Sequence, residues 1–242
     1  MSHNPWAANV KFDNGQLTVA GMSAKELAAE YGTPAFILDE DDFKARASAF
    51  TDAMKNSFDS SIVYYASKAF ICKQIVRWIH ELGMGIDVAT GGELEVALSM
   101  EFPAHRIQVH GNNKSLAEID RAVNAGVGNI VIDSLQEIPR VAEAAKRYGK
   151  TQSVMIRLNP GVEAHTLEAI ATAHTDVKFG LSIASGMAWD AVKEIAMMNH
   201  ERVERWLGDS LAKGVITRKG EGETSPGRLR YLPKNANREG GE

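Results

Sequence analysis

The stretch "SIVYYASKAFICKQIVRWIHELGMGIDVATGGELEVALSME" (residues 61–101) contains two short apolar runs, each followed by a segment with helical spacing. Residues 61–67 and 84–90 are predicted strands, and residues 73–83 and 91–101 are predicted helices. Both strands are continuously apolar rather than alternating, which is typical of parallel strands whose two faces are covered. This stretch therefore predicts an α/β fold built from βα units.

The same pattern continues along the chain, with single helices separating short strands. Further strands are predicted at 35–40, 106–111, 129–134 and 153–159, and further helices at 41–57, 115–126, 135–149 and 185–199. About five βα units follow one another regularly, whereas a complete (β/α)8 barrel needs eight units and ~250 residues. We therefore expect an incomplete (β/α)8 TIM-like barrel, although an open doubly wound sheet would produce a similar pattern.

Three regions are predicted from these patterns. Residues 1–34 form an N-terminal segment with a helix, for which Ser23 and Glu26 make a capping box and Gly32 provides the stop. Residues 35–200 form the partial barrel. Residues 201–242 read as one possible helix followed by a disordered tail, since that end is polar and rich in glycine and charge.

Composition restricts the class of protein. The 242 residues carry a net charge of −4, which gives no reason to expect nucleic acid or an anionic membrane as partner. No apolar stretch approaches the ~20 residues that span a bilayer, and the first residues do not resemble a signal peptide. The single cysteine, Cys72, suits a reducing compartment. We expect a cytoplasmic protein that takes a small molecule, and no His/Cys cluster has the spacing of a metal site.

Polar side chains occur where each predicted strand ends, and parallel α/β folds bind ligands at that edge. The candidate site residues are Lys68, Asp87, Glu93, His110, Asn112 and Arg157. Each also has an ordinary structural interpretation. Asp87 could cap the following helix, "HGNNKS" (110–115) could be only a turn with Ser115 as N-cap, and Arg157 needs a partner, either a carboxylate such as Asp133 or a ligand.

Lys68 in "YYASKAF" (64–70) allows two interpretations. The first is a lysine that closes a strand and reaches water. The second is a partly buried amine that becomes nucleophilic near neutral pH and condenses with an aldehyde, of which pyridoxal phosphate is the commonest. Lys68 alone favours the first interpretation.

Seven segments that follow one another in a fixed order favour the second interpretation. They are "GTPAFILD" (32–39), "YYASKAF" (64–70), "GIDVATGGEL" (85–94), "RIQVHGNNKS" (106–115), "IVIDS" (130–134), "IRLNPGVEAHT" (156–166) and "KFGLS" (178–182). In order and spacing they resemble the amino-terminal part of the pyridoxal-phosphate-dependent decarboxylases of the alanine-racemase fold type. The resemblance covers roughly residues 20–198. The pieces "HGNNKS" and "GVEAHT" favour the branch that converts meso-2,6-diaminopimelate to L-lysine and CO2.

The resemblance implies a role for each candidate residue. Lys68 would be the catalytic lysine that binds pyridoxal 5'-phosphate covalently. Asp87 and Glu93 would line the cofactor side of the pocket, and His110 and Asn112 would lie near its ring. Arg157 would approach the pyridine ring and its hydroxyl group.

The chain also departs from the family pattern. The later phosphate-binding glycine loop, the Glu-Pro-Gly-Arg motif and the carboxyl-terminal β-domain are not recognised in the sequence, and that domain completes the family's homodimer. Two hypotheses follow: a lysine-biosynthesis decarboxylase, or a truncated, non-catalytic remnant that binds pyridoxal phosphate. We expect weak or no decarboxylase activity from this chain.

Overall fold

The structure is a computed structural model that describes residues 6–160 and 179–198. The described residues separate into two compact units. The first contains residues 6–131 and 144–155, and the second contains residues 132–143, 156–160 and 179–198. The predicted tail, residues 201–242, lies outside the described residues, so the predicted domain boundaries stay predictions.

A parallel sheet of five strands is the main element, in the order β4-β5-β6-β7-β8. Its strands are β4 (Tyr64–Ala66), β5 (Gly85–Val88), β6 (Ile107–Val109), β7 (Asn129–Ile132) and β8 (Val154–Ile156). The helices that follow β4 to β7 are α3 (Lys73–Glu81), α4 (Gly91–Leu98), α5 (Leu116–Ala125) and α6 (Glu137–Arg147). The α/β class with a parallel sheet is thus confirmed, with shorter elements than the sequence predicts.

The amino-terminal part of the first unit contains a small antiparallel sheet that the sequence analysis did not predict. It consists of β1 (Val10–Asp13), β2 (Gln16–Val19) and β3 (Met22–Ser23), followed by α1 (Ala24–Tyr31) and α2 (Glu40–Ser57). Asn14 and Gly15 join β1 to β2 with φ angles of 48° and 75°. An Asn-Gly pair with two positive φ angles is the preferred two-residue hairpin turn, so a local signal was present.

The strand predicted at residues 35–40 is wrong. Residues 35–39 have no regular structure, and Glu40 begins α2. Asp39 is the N-cap of that helix, because its carboxylate accepts a hydrogen bond from the Asp42 N–H at 3.0 Å. Phe36 is fully exposed, so this apolar run does not form the buried strand that its composition suggested. The capping box of Ser23 and Glu26 and the stop at Gly32 are confirmed for α1.

The core of the first unit lies where one face of the parallel sheet meets its helices. Alternate residues of the strands are fully buried and apolar, as are the inward positions of the helices; they include Ile75, Ile79, Ile86, Val88, Leu94, Ile107, Ile119, Val123 and Ile130. Asp87 and Gln108 occupy the opposite face and are only half-buried. In β5 and β6 one face of the sheet is therefore packed and the other carries polar side chains, whereas in β7 the neighbouring residues Ile130 and Val131 are both buried.

The second unit contains the short parallel pair β9 (Leu158–Asn159) and β10 (Leu181–Ser182), followed by α7 (Met187–Met198). Leu181, Ser182 and Asn159 are buried in it. Among the described residues of both units, no helix is long and apolar enough to cross a membrane.

The core can be tested within one helix. Ile119 and Leu116 both lie on α5, but Ile119 is 1% exposed and Leu116 is 66% exposed. We predict that Ile119→Ala lowers the free energy of unfolding by about 2–5 kcal/mol, because it removes buried methyl groups and leaves a cavity. Leu116→Ala is the control and should change it by less than about 0.5 kcal/mol. Urea unfolding measures both, and equal effects would contradict the proposed core.

Candidate functional site

The carboxyl ends of β4, β5 and β6 lie next to one another in the first unit. In the parallel register, Ala66 of β4 faces Asp87 of β5, and Asp87 faces Gln108 of β6. The chain segments that leave these strands begin with Ser67, Ala89 and His110. Five of the six predicted site residues, all except Arg157, therefore belong to adjacent strand ends in one unit.

Lys68 lies in a 3-10 turn (Ser67–Ala69) immediately after β4 and is exposed. Within the described residues, no hydrogen bond or ion pair involves its ammonium group. The expectation of a partly buried amine is therefore wrong for this structure, because the strand ends at Ala66 and exposure begins directly after the buried Ser67. The structure shows an exposed amine on a turn, and Ser67, the residue directly before this lysine, is held in place.

Glu93 holds that preceding residue. Its Oε2 atom accepts a hydrogen bond from the Ser67 hydroxyl at 3.0 Å and from the Ala89 N–H at 2.5 Å. Ser67 is 1% exposed, so this bond between the end of β4 and the start of α4 is protected from water. Glu93 thus positions the turn that carries Lys68, a task that the sequence analysis did not assign to it. The pattern Thr90-x-x-Glu93, a helix-start signature, was the available signal.

Asp87 and His110 approach each other across β5 and β6. The Asp87 Oδ1 and His110 Nε2 atoms are 3.6 Å apart, and their side chains are 26% and 31% exposed. The Gln108 amide nitrogen lies 2.7 Å from the same His110 Nε2 atom. The result is a half-exposed imidazole that lies beside a carboxylate and a side-chain amide.

The segment after His110 turns sharply through Gly111, whose φ angle is +107°. Asn112 follows and is exposed, and Ser115 is the N-cap of α5, as the sequence suggested. Asp87 does not cap the helix after β5, because Thr90 is the N-cap there. Lys114 is only 4% exposed, and the sequence analysis overlooked it, since a lysine in a polar loop reads as solvated.

Arg157 lies in the second unit and has the carboxylate partner that the sequence analysis considered. Its Nη1 atom donates to Asp133 Oδ1 at 3.1 Å, and its guanidinium carbon lies 4.4 Å from the centre of the Phe179 ring. Asp133 also accepts from the Gly180 N–H at 3.2 Å through its other oxygen. The guanidinium is therefore fixed by a buried carboxylate and an aromatic face. The cofactor role of Arg157 stays a prediction.

The sequence of this chain is similar to those of known pyridoxal-dependent enzymes. Residues 41–203 match the family model described as the pyridoxal-dependent decarboxylase, pyridoxal binding domain. The chain is 48% identical over 204 residues to the diaminopimelate decarboxylase of Mycobacterium tuberculosis, covering 84% of this chain and 45% of that protein. For the diaminopimelate decarboxylase of Mycobacterium leprae the identity is 49% over 204 residues, covering 84% and 43%. The chain thus spans about half the length of the curated relatives it matches.

Solved structures show the same similarity. The crystal structure of diaminopimelate decarboxylase from M. jannaschii in co-complex with L-lysine matches with a TM-score of 0.72 and 34% sequence identity, covering 79% of this chain and 45% of that chain. The Helicobacter pylori diaminopimelate decarboxylase, also complexed with L-lysine, matches with a TM-score of 0.59 and 27% identity, covering 67% and 41%.

The contact between Ser67 and Glu93 can be tested by stability. We predict that Ser67→Ala lowers the free energy of unfolding by about 1–2 kcal/mol, because it removes a buried hydrogen bond to a charged group. Ser99→Ala is the control, since its exposed hydroxyl donates only to the Val96 carbonyl, at 2.8 Å, and it should change the value by less than about 0.5 kcal/mol. Denaturant titration compares them, and a neutral Ser67→Ala variant would contradict the assignment.

Proposed function

Since the chain belongs to the family of pyridoxal-dependent decarboxylases, we propose that its first unit binds pyridoxal phosphate through Lys68 and that the protein acts in amino-acid decarboxylation. The observation that carries this proposal is the match of the pyridoxal-binding family model across residues 41–203. That range contains all six residues that the sequence resemblance selected. Pyridoxal binding as the property of this family agrees with the cofactor expected from the sequence.

The residues of the first unit fit such a cofactor chemically. An aldehyde needs an amine, and Lys68 presents one on an exposed turn. A planar ring needs a flat partner and polar neighbours, which the half-exposed His110 imidazole, the Asp87 carboxylate and the exposed Asn112 amide would supply. In this proposal Lys68 attaches the cofactor, and Asp87, His110 and Asn112 contact it.

Bound pyridoxal phosphate supplies an electron sink that stabilises negative charge at the α-carbon when a carboxyl group leaves as CO2. The chain's own residues prepare for that chemistry. Glu93 fixes the Lys68 turn through Ser67, which limits where the amine can go. Gln108 lies within hydrogen-bonding distance of His110 Nε2 and so helps to orient the ring. Order in these groups before binding reduces the entropy lost on binding.

The proposed substrate is meso-2,6-diaminopimelate, which would lose one carboxyl group as CO2, gain a proton in its place and become L-lysine. The support is the name shared by the relatives described above and the L-lysine in two of the similar crystal structures. The substrate would be the small-molecule partner, and no role for nucleic acid or membrane is proposed.

We also propose that the five parallel strands and their helices form an incomplete (β/α)8 barrel of the alanine-racemase type. The support is the parallel order β4 to β8 together with the similarity to the diaminopimelate decarboxylase structures. A cytoplasmic location fits the single cysteine, Cys72.

Covalent labelling tests the cofactor site without requiring activity. After addition of pyridoxal phosphate and reduction with borohydride, we expect the phosphopyridoxyl group on the peptide that contains Lys68. Lys68→Ala should abolish this label. Lys73→Ala removes an exposed lysine at the start of α3 and should leave the label unchanged. Mass spectrometry of the digested chain locates it, and a label spread equally over surface lysines would contradict the proposal.

Turnover distinguishes the two functions considered for this chain. With meso-2,6-diaminopimelate and pyridoxal phosphate, we expect CO2 and L-lysine in equal amounts, at whatever rate, and neither product with Lys68→Ala. Carboxyl-labelled substrate and amino-acid analysis measure both products. A chain that carries the label at Lys68 but releases no CO2 would contradict decarboxylation and establish the non-catalytic alternative.

A further inference from the structure

Glu118 joins two loops of the first unit through a single carboxylate. It lies in the first turn of α5, where its Oε2 atom accepts from the Ser115 N–H at 2.8 Å. Its Oε1 atom accepts from the Gly91 N–H, at the start of α4, also at 2.8 Å. One side chain therefore satisfies backbone donors at the beginnings of two different helices, donors that have no backbone acceptor within their own helices.

The two loops also touch at glycines, so no side chain separates them. A Cβ atom on Gly111 would lie 2.9 Å from the Ala89 carbonyl oxygen, and one on Gly91 would lie 3.0 Å from the Cγ atom of Glu118. Real Cβ atoms rarely approach that closely, and the φ angle of Gly111 (+107°) itself favours glycine. The loop after β6 and the loop after β5 are therefore in direct backbone contact.

Lys114 holds the loop after β6, which contains Gly111, in place. Its ammonium group donates to the Gly111 carbonyl at 2.8 Å and to the Val131 carbonyl at 2.6 Å, and the residue is 4% exposed. A buried charge is unfavourable unless it is paired or fully hydrogen-bonded. These bonds therefore require Gly111 to remain where it is.

The charges of Lys114 and Glu118 favour each other. The pKa of Glu118 lies below its ordinary value, chiefly because the Ser115 N–H donates to the carboxylate. Partial burial opposes that shift, while the Gly91 N–H and the charge of Lys114 add to it. Glu118 is therefore held as a carboxylate by groups of both loops.

We propose that Lys114 and Glu118 are positioning residues that hold the His110–Asn112 loop against the Ala89–Gly91 loop in the arrangement that pyridoxal phosphate requires. This inference rests on the proposed function, because His110 and Asn112 are the residues assigned to the cofactor there. It goes beyond that function by proposing that two residues that would not touch the cofactor increase the affinity of the chain for pyridoxal phosphate. Fixing the loops before binding removes an entropy loss from the binding step.

The test compares Glu118→Gln with two controls in the full chain. Glu118→Gln leaves one acceptor oxygen for two N–H donors. Ser115→Ala removes the hydroxyl that accepts from the Glu118 N–H at 3.2 Å but keeps the bonds to Gly91 and to the Ser115 backbone. Glu95→Gln removes the same charge from an exposed ion pair with Arg121, which also joins α4 to α5. Urea unfolding confirms that each variant folds.

The readouts are the dissociation constant of pyridoxal phosphate and the circular dichroism of the bound cofactor in its visible band. We expect Glu118→Gln to raise the dissociation constant about tenfold, since a hydrogen bond to a charged group is lost, and to weaken the circular dichroism per bound cofactor. Ser115→Ala and Glu95→Gln should change neither by more than about twofold, although Ser115→Ala weakens a helix cap.

The possible results distinguish a failure of this inference from a failure of the proposed function. If the unaltered chain binds pyridoxal phosphate through Lys68 and Glu118→Gln binds it like Ser115→Ala, with the same circular dichroism, Glu118 is only a helix cap and the inference is wrong while the proposed function stands. If the unaltered chain shows no Lys68-dependent binding, the proposed function fails and the inference fails with it.

Discussion

Glutamates at helix starts that accept hydrogen bonds from backbone groups just after the preceding strand, or in a neighbouring loop, fix the loops within each of the two units. Glu93 accepts from the Ala89 N–H and Glu137 from the Asp133 N–H, each four residues upstream, while Glu118 accepts from Ser115 and from Gly91. A negative charge in the first helical turn is also favoured by the helix dipole. One type of residue in one position therefore satisfies backbone donors and sets the path of each loop.

This arrangement explains how a small parallel sheet can combine stability with chemistry. The apolar face of the strands, represented by Ile86 and Val88, is fully buried. The other face and the strand ends carry Asp87, Gln108 and His110, which are half-buried. Because the carboxylates at the helix starts fix the loops, these polar side chains do not also have to stabilise the fold. Glu93 is the exception, since the residue that resemblance assigned to the cofactor is occupied in holding the Lys68 turn.

Much of the fold could be predicted from the sequence, and the failures have physical causes. Continuous apolar strands alternating with helical spacing identified the five parallel strands and the four helices between them, because strands covered by helices favour apolar residues. The apolar run at residues 35–40 has strand composition, but it lacks a strand neighbour among the described residues and Asp39 caps a helix instead. The β1–β2 hairpin was not predicted, although the Asn14-Gly15 pair is a sequence signal for its turn. Lys114 could not have been recognised, because its burial depends on carbonyl groups of Gly111 and Val131, one of them 17 residues away in sequence.

The contact between Gly111 and the Ala89 carbonyl restricts which positions at this edge can change. A side chain at Gly111 would meet that carbonyl oxygen at 2.9 Å, so a substitution there would force the two loops apart, whereas one at Gly91 would press on the Glu118 side chain. The exposed Asn112 and Asn113 beside them have no such restriction. Substitution of the two asparagines would therefore change the side chains presented at this edge while the backbone that carries them stays in place.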